Sequence, residues 1–149
     1  MLHFLRTNSS STDFIHLVQL LDADLAERDG ADHSFYAQFN KITMIQHAIV
    51  AYEQEVPVAC GAFKAFDAES AEIKRMYVLP QHRNKGIAAA VLQQLEQWAK
   101  EEGYTSTVLE TGMKQPEAIH LYQKSGYLRI PNYGQYVGVE NSVCMKKEL

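Results

Sequence analysis

The chain has 149 residues, of which 46% are hydrophobic and 21% charged, and this size and composition predict one folded domain over residues 1–149. A net charge of −4 argues against a general nucleic-acid-binding surface, and no apolar run approaches the roughly 18 residues of a membrane span. The N-terminal segment lacks the apolar core and cleavage site of a signal peptide, so we expect a cytoplasmic location.

The first half of the chain predicts one helix and a run of strands. Leu2 to Arg6 is a short strand, and apolar residues at three- and four-residue spacing then predict an amphipathic helix that ends near Gly30. Residues 33–40 form either a second short helix or an ordered loop. Three further strands, separated by turns, are predicted over residues 43–52, 56–66 and 71–78, and Gly61 is a candidate bulge position.

The second half alternates helices and strands. The clearest helix covers 85–102 and ends at Gly103, which suits a left-handed C-terminal cap. The remaining segments are a strand (107–111), a helix from Pro116 to Gly126, an aromatic loop (131–138) and strands at 127–130 and 142–146. The helix at 85–102 connects two strands as a crossover, which predicts parallel pairing within a mixed α/β fold.

The cysteines and histidines do not indicate a metal centre. Cys60 and Cys144 are far apart and flanked by small or apolar residues, so buried free thiols are expected and a disulfide stays open as the alternative. The six histidines show no paired ligand spacing, and we therefore expect no metal.

The segment from Val78 to Ala88 carries the strongest signal for ligand binding. A strand ends there, a short loop follows, and a helix begins near Gly86. The N-terminus of a helix exposes unpaired N–H groups that bind phosphates, and Arg83 and Lys85 add positive charge. A solvated charged surface is the alternative explanation. The segment lacks the Gly-Lys-Ser/Thr of a P-loop and the Gly-x-Gly of a dinucleotide fingerprint.

Residues 72–98, 109–111 and 118–127 together resemble the GNAT superfamily of N-acetyltransferases. The resemblance implies a central, mixed, mostly antiparallel twisted sheet flanked by helices, with acetyl-CoA as co-substrate. It implies a cofactor site made of Tyr77, Val78, Arg83, Asn84, Lys85, Gly86, Ile87, Ala88 and Gln115. Gln115 stands where the family usually has Asn, although the amide is retained.

The resemblance also implies two groups that act on the thioester, and the chemistry of the amine calls for a base. Tyr122 matches the family's proton donor to the departing thiolate, with a core aromatic as the alternative, and the N–H of Val78 would face the thioester oxygen. An amine must lose a proton to react, and Glu72 is the candidate base, with a surface charge beside Lys74 as the alternative. Glu110, on the adjoining strand, is the second candidate and is also placed at the acceptor side.

Alternation along the strand at 71–78 predicts which side chains share a face. One face would carry Glu72, Lys74, Met76 and Val78, and the other Ile73, Arg75 and Tyr77. A bulge near Val78 would change this arrangement.

The acceptor site is less well defined by the sequence. Arg75 would either hold a substrate carboxylate or form a salt bridge with a neighbouring acid, the latter being favoured. Aromatic residues in the least regular segments, which line the acceptor site or pack internally, are Tyr36, Phe39, Tyr133 and Tyr136. The expected acceptor is a small-molecule or peptide amine. A non-catalytic acyl-CoA-binding module, a nucleotide-binding transferase and a homodimer stay open.

Overall fold

A computed structural model describes residues 1–29 and 45–149. The described elements are β1 (Leu2–Thr7), α1 (Thr12–Asp29), β2 (His47–Glu53), β3 (Val56–Ala65), β4 (Ser70–Val78), α2 (Ile87–Glu101), β5 (Ser106–Gly112), α3 (Pro116–Lys124), β6 (Leu128–Ile130) and β7 (Ser142–Glu148). Two short 3₁₀ helices cover Pro80–His82 and Gly134–Tyr136. The strands and helices predicted for these residues are confirmed, with ends that shift by a few positions, whereas the segment 33–40 lies outside the described residues.

The described strands form one seven-stranded sheet in the order β1-β2-β3-β4-β5-β7-β6. Strands β4 and β5 pair in parallel, as the predicted crossover through α2 requires, and the other neighbouring strands pair antiparallel. The predicted mixed, mostly antiparallel sheet flanked by helices is therefore confirmed.

Helices α1 and α2 cover opposite faces of this sheet. Ile49 of β2 packs in the cluster that contains α2, whereas its neighbours Ala48 and Val50 pack in the cluster that contains α1, because successive side chains of a strand point to opposite faces. Each fully buried Leu or Phe in these clusters contributes about 1.5–3 kcal/mol. Among the described helices, none is long and apolar enough to cross a membrane.

Strand β4 contains a bulge at the position opposite Gly61. Cys60 pairs with Tyr77 and Ala62 pairs with Lys74, so Arg75 and Met76 together face one residue of β3. Arg75 adopts a left-handed backbone with φ of 60°. The bulge therefore lies in the pairing predicted to be irregular, but the extra residue belongs to β4.

The bulge overturns the predicted alternation along β4. Ile73 and Val78, which were expected on opposite faces, pack in the same cluster beside α2. Tyr77 packs in the cluster beside α1. The extra residue shifts the period by one position, so the faces beyond Lys74 are exchanged relative to the prediction.

Strands β4 and β5 separate before either one ends. Their pairing covers Ser70–Ile73 and Ser106–Leu109 only, although β4 continues to Val78 and β5 to Gly112. The backbones beyond this point border a gap, and α3 begins just after the end of β5. The gap is the centre of the cleft described below.

Substitution of Gly61 by Ala should destabilise the fold. An added Cβ would lie 2.6 Å from Met76 Sδ and 2.7 Å from Leu95 Cδ1, closer than packed atoms approach. We expect a loss of about 1–3 kcal/mol in the free energy of unfolding, measured by urea denaturation. Lys100→Ala, on the exposed face of α2, is the control and should change stability by no more than about 0.5 kcal/mol. Equal stabilities for both variants would contradict this packing argument.

Candidate active site

Two adjoining cavities lie at the gap where β4 separates from β5. The larger cavity, of about 750 Å³, extends along the start of α2, and the smaller cavity, of about 110 Å³, lies beside the paired parts of β4 and β5. Both cavities are bordered by Leu21, Met76, Gln115, Ala118 and Tyr122. Because they share these walls, the two cavities lie side by side, and together they are called the cleft.

The start of α2 faces the larger cavity with a backbone suited to an anion. Gly86 precedes the helix with φ of 78°, and no side chain of the described residues caps the helix N-terminus. A Cβ at Gly86 would meet nothing within 4 Å, so the space beside the first N–H groups of α2 is open. The uncapped N–H groups and the open space fit a phosphate-bearing ligand.

Most of the predicted cofactor residues line this larger cavity. They are Tyr77, Val78, Arg83, Asn84, Gly86, Ile87, Ala88 and Gln115. Lys85 is exposed beside them. The structure therefore brings together residues from β4, from the following loop, from α2 and from the start of α3.

Arg83 joins the loop to the end of β4. Its Nε donates a hydrogen bond of 2.9 Å to the carbonyl oxygen of Val78, and its guanidinium lies 5.5 Å from the centre of the Tyr77 ring. These contacts hold the loop against the strand and keep a positive charge at the cavity wall.

The backbone N–H of Val78 faces the gap between the strands. The next residue, Leu79, donates its N–H to the carbonyl oxygen of Val58 in β3 at 2.9 Å. Successive residues of an antiparallel strand point their N–H groups in opposite directions. The N–H group of Val78 therefore points away from β3. This direction agrees with the predicted role of a donor to an oxyanion in the cleft.

Glu72 lies in the wall of the smaller cavity and is 4% exposed. The hydroxyl of Tyr133 donates a 2.8 Å hydrogen bond to Glu72 Oε2. The ammonium groups of Lys64 and Lys74 each lie 3.9 Å from Oε1. Glu72 is therefore a buried, ion-paired carboxylate in the cleft, and Tyr133 orients it.

Tyr122 lies where the two cavities meet and is 6% exposed. Burial raises the pKa of Tyr122 above its ordinary value, and the Glu110 carboxylate raises this pKa further. Tyr122 thus keeps its proton at neutral pH. Glu110 lines the smaller cavity with Glu72, so the two carboxylates predicted as alternative bases share one cavity.

Arg75 lines the smaller cavity, but its guanidinium is paired with Asp22 of α1. The Arg75 side chain is 2% exposed. Of the two arrangements predicted for Arg75, the structure has the salt bridge to a neighbouring acid.

The two aromatic candidates in the described residues, Tyr133 and Tyr136, lie next to each other, with ring centroids 5.9 Å apart. Tyr136 lines the smaller cavity and Tyr133 contacts Glu72, whereas Tyr36 and Phe39 lie outside the described residues.

The sequence analysis did not assign a role to Lys74, which lines the smaller cavity next to Glu72. The alternation along β4 did place Lys74 on the same face as Glu72, and this shared face was the signal in the sequence that could have identified it.

In residues 1–29 and 45–149, no three His, Cys, Asp or Glu side chains are arranged to hold a metal ion.

Comparisons with known proteins agree on one family. A family model described as the acetyltransferase (GNAT) family matches residues 14–127. The chain is 36% identical over 101 residues to the uncharacterized N-acetyltransferase YsnE of Bacillus subtilis (strain 168), covering 66% of this chain and 67% of that protein.

Solved structures of other proteins have a similar fold. A proposed acyl-CoA N-acyltransferase of Klebsiella pneumoniae has a TM-score of 0.84 and 27% identity, covering 100% of this chain and 98% of that one. A GNAT family acetyltransferase from Elizabethkingia anophelis with acetyl-CoA bound has a TM-score of 0.74 and 20% identity, covering 99% and 98% of the two chains.

Both cysteines should resist thiol reagents in the folded protein. Cys60 and Cys144 are fully buried, and burial raises the pKa of Cys60 to about 12 and also raises that of Cys144. At pH 8 the thiolate fraction of Cys60 is then on the order of 10⁻⁴. We expect labelling by an aromatic disulfide reagent only after unfolding in guanidinium, which should expose both thiols. Rapid labelling of either thiol in the native protein would contradict the burial described here.

Proposed function

The chain belongs to the GNAT acetyltransferase family, and we propose that it transfers an acetyl group from acetyl-CoA to a primary amine of a small molecule or peptide by direct attack. Acetyl-CoA is the co-substrate of the family. The observation that supports direct transfer is that the two cavities share walls, because the loop at Gly86 and the polar groups of Glu72, Glu110 and Tyr122 then lie along one cleft.

The larger cavity is the proposed coenzyme A site. The N–H groups at the start of α2 and the guanidinium of Arg83 would bind the phosphates, since anions are stabilised at a helix N-terminus. The N–H of Val78 would donate to the thioester oxygen as negative charge develops there. Gln115, at the end of the gap, would contact the same ligand through its amide or backbone.

The smaller cavity is the proposed acceptor site. An amine attacks a thioester only in its neutral form, and free amines are mostly protonated at neutral pH. Glu72 is our first candidate for the group that accepts the proton, directly or through water, and Glu110 is the second. The two lysines and Tyr133 around Glu72 hold its carboxylate in a defined position.

Tyr122 is the proposed donor to the departing sulfur. Its raised pKa keeps the hydroxyl protonated, and the same shift makes it a weak acid. Tyr122 would therefore stabilise the thiolate chiefly as a hydrogen-bond donor, with the proton following as the sulfur leaves. This mechanism needs no covalent enzyme intermediate, which is consistent with both described thiols being buried away from the cleft.

Acetyl-CoA should raise the unfolding temperature, whereas ATP should not. Ligand at about 100 times its Kd stabilises a fold by about 2.7 kcal/mol, which corresponds to a shift in Tm of roughly 5–10 °C here. Gly86→Ala should abolish most of this shift, because the substitution disfavours the left-handed backbone of the loop and puts a methyl group in its open space. The measurement is thermal unfolding at several ligand concentrations.

Gly138→Ala is the matched control for this experiment. Gly138 has φ of 80°, compared with 78° at Gly86, and a Cβ at either position meets nothing within 4 Å. Both variants should lose a similar stability, about 1–2 kcal/mol, but only Gly86→Ala should lose the shift caused by acetyl-CoA. No shift of the unsubstituted protein at millimolar acetyl-CoA would contradict the cofactor assignment.

Tyr122→Phe should lower kcat by about 10²-fold, measured by thiol release with a panel of amines. The shift in Tm caused by acetyl-CoA should stay unchanged in this variant.

Glu72→Gln should also lower kcat. This loss of activity should shrink as the pH rises towards the pKa of the amine, about 10, because the acceptor then deprotonates without a base. Glu110→Gln should show no such rescue.

The outcomes separate the open alternatives. A pH-dependent deficit in Glu110→Gln but not in Glu72→Gln would move the base to Glu110. Full activity of Tyr122→Phe would remove that residue from the mechanism. Acetyl-CoA binding without turnover of any amine would favour the non-catalytic acyl-CoA-binding module.

A further inference from the structure

The smaller cavity contains charges of both signs. Its wall includes the carboxylates of Glu72 and Glu110 and the ammonium of Lys74, while Lys64 reaches Glu72 from the exposed side. Arg75 and Asp22 neutralise each other as a separate pair. Apart from that pair, the cavity wall carries two carboxylates and one ammonium group, so it offers a partner to each charge of a ligand that carries one charge of each sign.

Lys74 differs from Lys64 in one respect that matters for a ligand. Both ammonium groups lie 3.9 Å from the same oxygen of Glu72, but the side chain of Lys74 is 8% exposed and that of Lys64 is 52% exposed. Lys74 lines the cavity, whereas Lys64 lies in solvent. Water already solvates the Lys64 ammonium, so only Lys74 can gain appreciably from an anionic ligand.

The environment of Lys74 favours an additional anion. Burial lowers the pKa of Lys74 below its ordinary value against the attraction of Glu72 and Glu110, and the positive charges of Lys64 and Arg75 lower this pKa further. A carboxylate bound beside the ammonium would stabilise its charged form. The Arg75 side chain is 2% exposed, and its guanidinium is paired with Asp22 of α1.

Building on the proposed acetyltransferase function, we propose that the acceptor is an amine that carries a carboxylate close to its reacting nitrogen, as in an amino acid, and that Lys74 binds this carboxylate. The nitrogen then lies on the side of Glu72 and Glu110, where its proton can be removed. The carboxylate lies against the Lys74 ammonium, in the same small cavity. Lys74 is thus a specificity-determining residue and takes no part in the proton transfer.

The test uses matched acceptors and matched lysine variants. Each acceptor is supplied in three forms, an amino acid, its carboxamide and its decarboxylated amine, over a panel of side chains. The kcat/KM for acetyl transfer is measured for the unsubstituted protein and for the variants Lys74→Met, Lys74→Arg and Lys64→Met. Comparison, between protein variants, of the ratios within each acceptor set cancels the intrinsic differences in amine reactivity.

We expect Lys74→Met to lower kcat/KM for the amino acid by about 10- to 100-fold relative to its carboxamide, since a hydrogen bond between charged groups is lost. Lys74→Arg should retain most of the preference, and Lys64→Met should leave the ratio unchanged. An equal loss for all three acceptor forms in Lys74→Met would overturn the proposal, because it would show that Lys74 acts only by positioning Glu72.

The remaining outcomes distinguish this proposal from the function on which it rests. Transfer to carboxamides and decarboxylated amines as efficient as transfer to amino acids would refute the carboxylate preference and leave the acetyltransferase function intact. Acetyl-CoA binding without transfer to any acceptor in the panel would count against both. Thermal unfolding of each variant checks the fold, and Lys74→Arg tests the preference if Lys74→Met is unstable.

Discussion

The separation of β4 from β5 beyond Ile73 and Leu109 is the constraint on which the cleft depends. Two parallel strands that stop pairing leave backbone N–H and C=O groups without a neighbouring strand, and such groups require other partners. The carbonyl oxygen of Val78 accepts a hydrogen bond from Arg83 in the following loop, whereas the N–H of Val78 points into the gap. The same gap admits the start of α3, which brings Tyr122 to the junction of the two cavities.

The bulge at Arg75 connects this gap to helix α1. A non-glycine residue with positive φ costs about 1–3 kcal/mol and persists only where its surroundings hold it. Here the buried guanidinium reaches Asp22, so the strained residue is also the one that ties β4 to α1. Gly61 accommodates the same feature from the other strand, because no Cβ fits between Met76 and Leu95. Backbone strain, a buried charge and a glycine thus form one local arrangement beside the smaller cavity.

The sequence predicted the elements better than it predicted the faces of β4. Helix α2 and its loop were evident because an apolar stripe, Gly86 and Arg83 are local signals, and the parallel pairing followed from the crossover. The faces beyond Lys74 could not be predicted by counting, since one extra residue in a bulge reverses the period. Contacts between residues far apart in the sequence could not be predicted either. The contacts between Tyr133 and Glu72 and between Asp22 and Arg75 depend on how the strands and helices pack.

The cleft separates two electrostatic tasks within a chain of net charge −4. In the function that we propose, the overall charge cannot attract the phosphates of the ligand, so the fixed N–H groups of α2 and Arg83 would supply this attraction at short range. The proposed acceptor side has the opposite requirement, because it would hold a carboxylate able to remove a proton without repelling the nearby cofactor. Lys64, Lys74 and Tyr133 around Glu72 meet this requirement, since they compensate the buried charge locally. The strand gap places the two environments side by side, with Tyr122 between them.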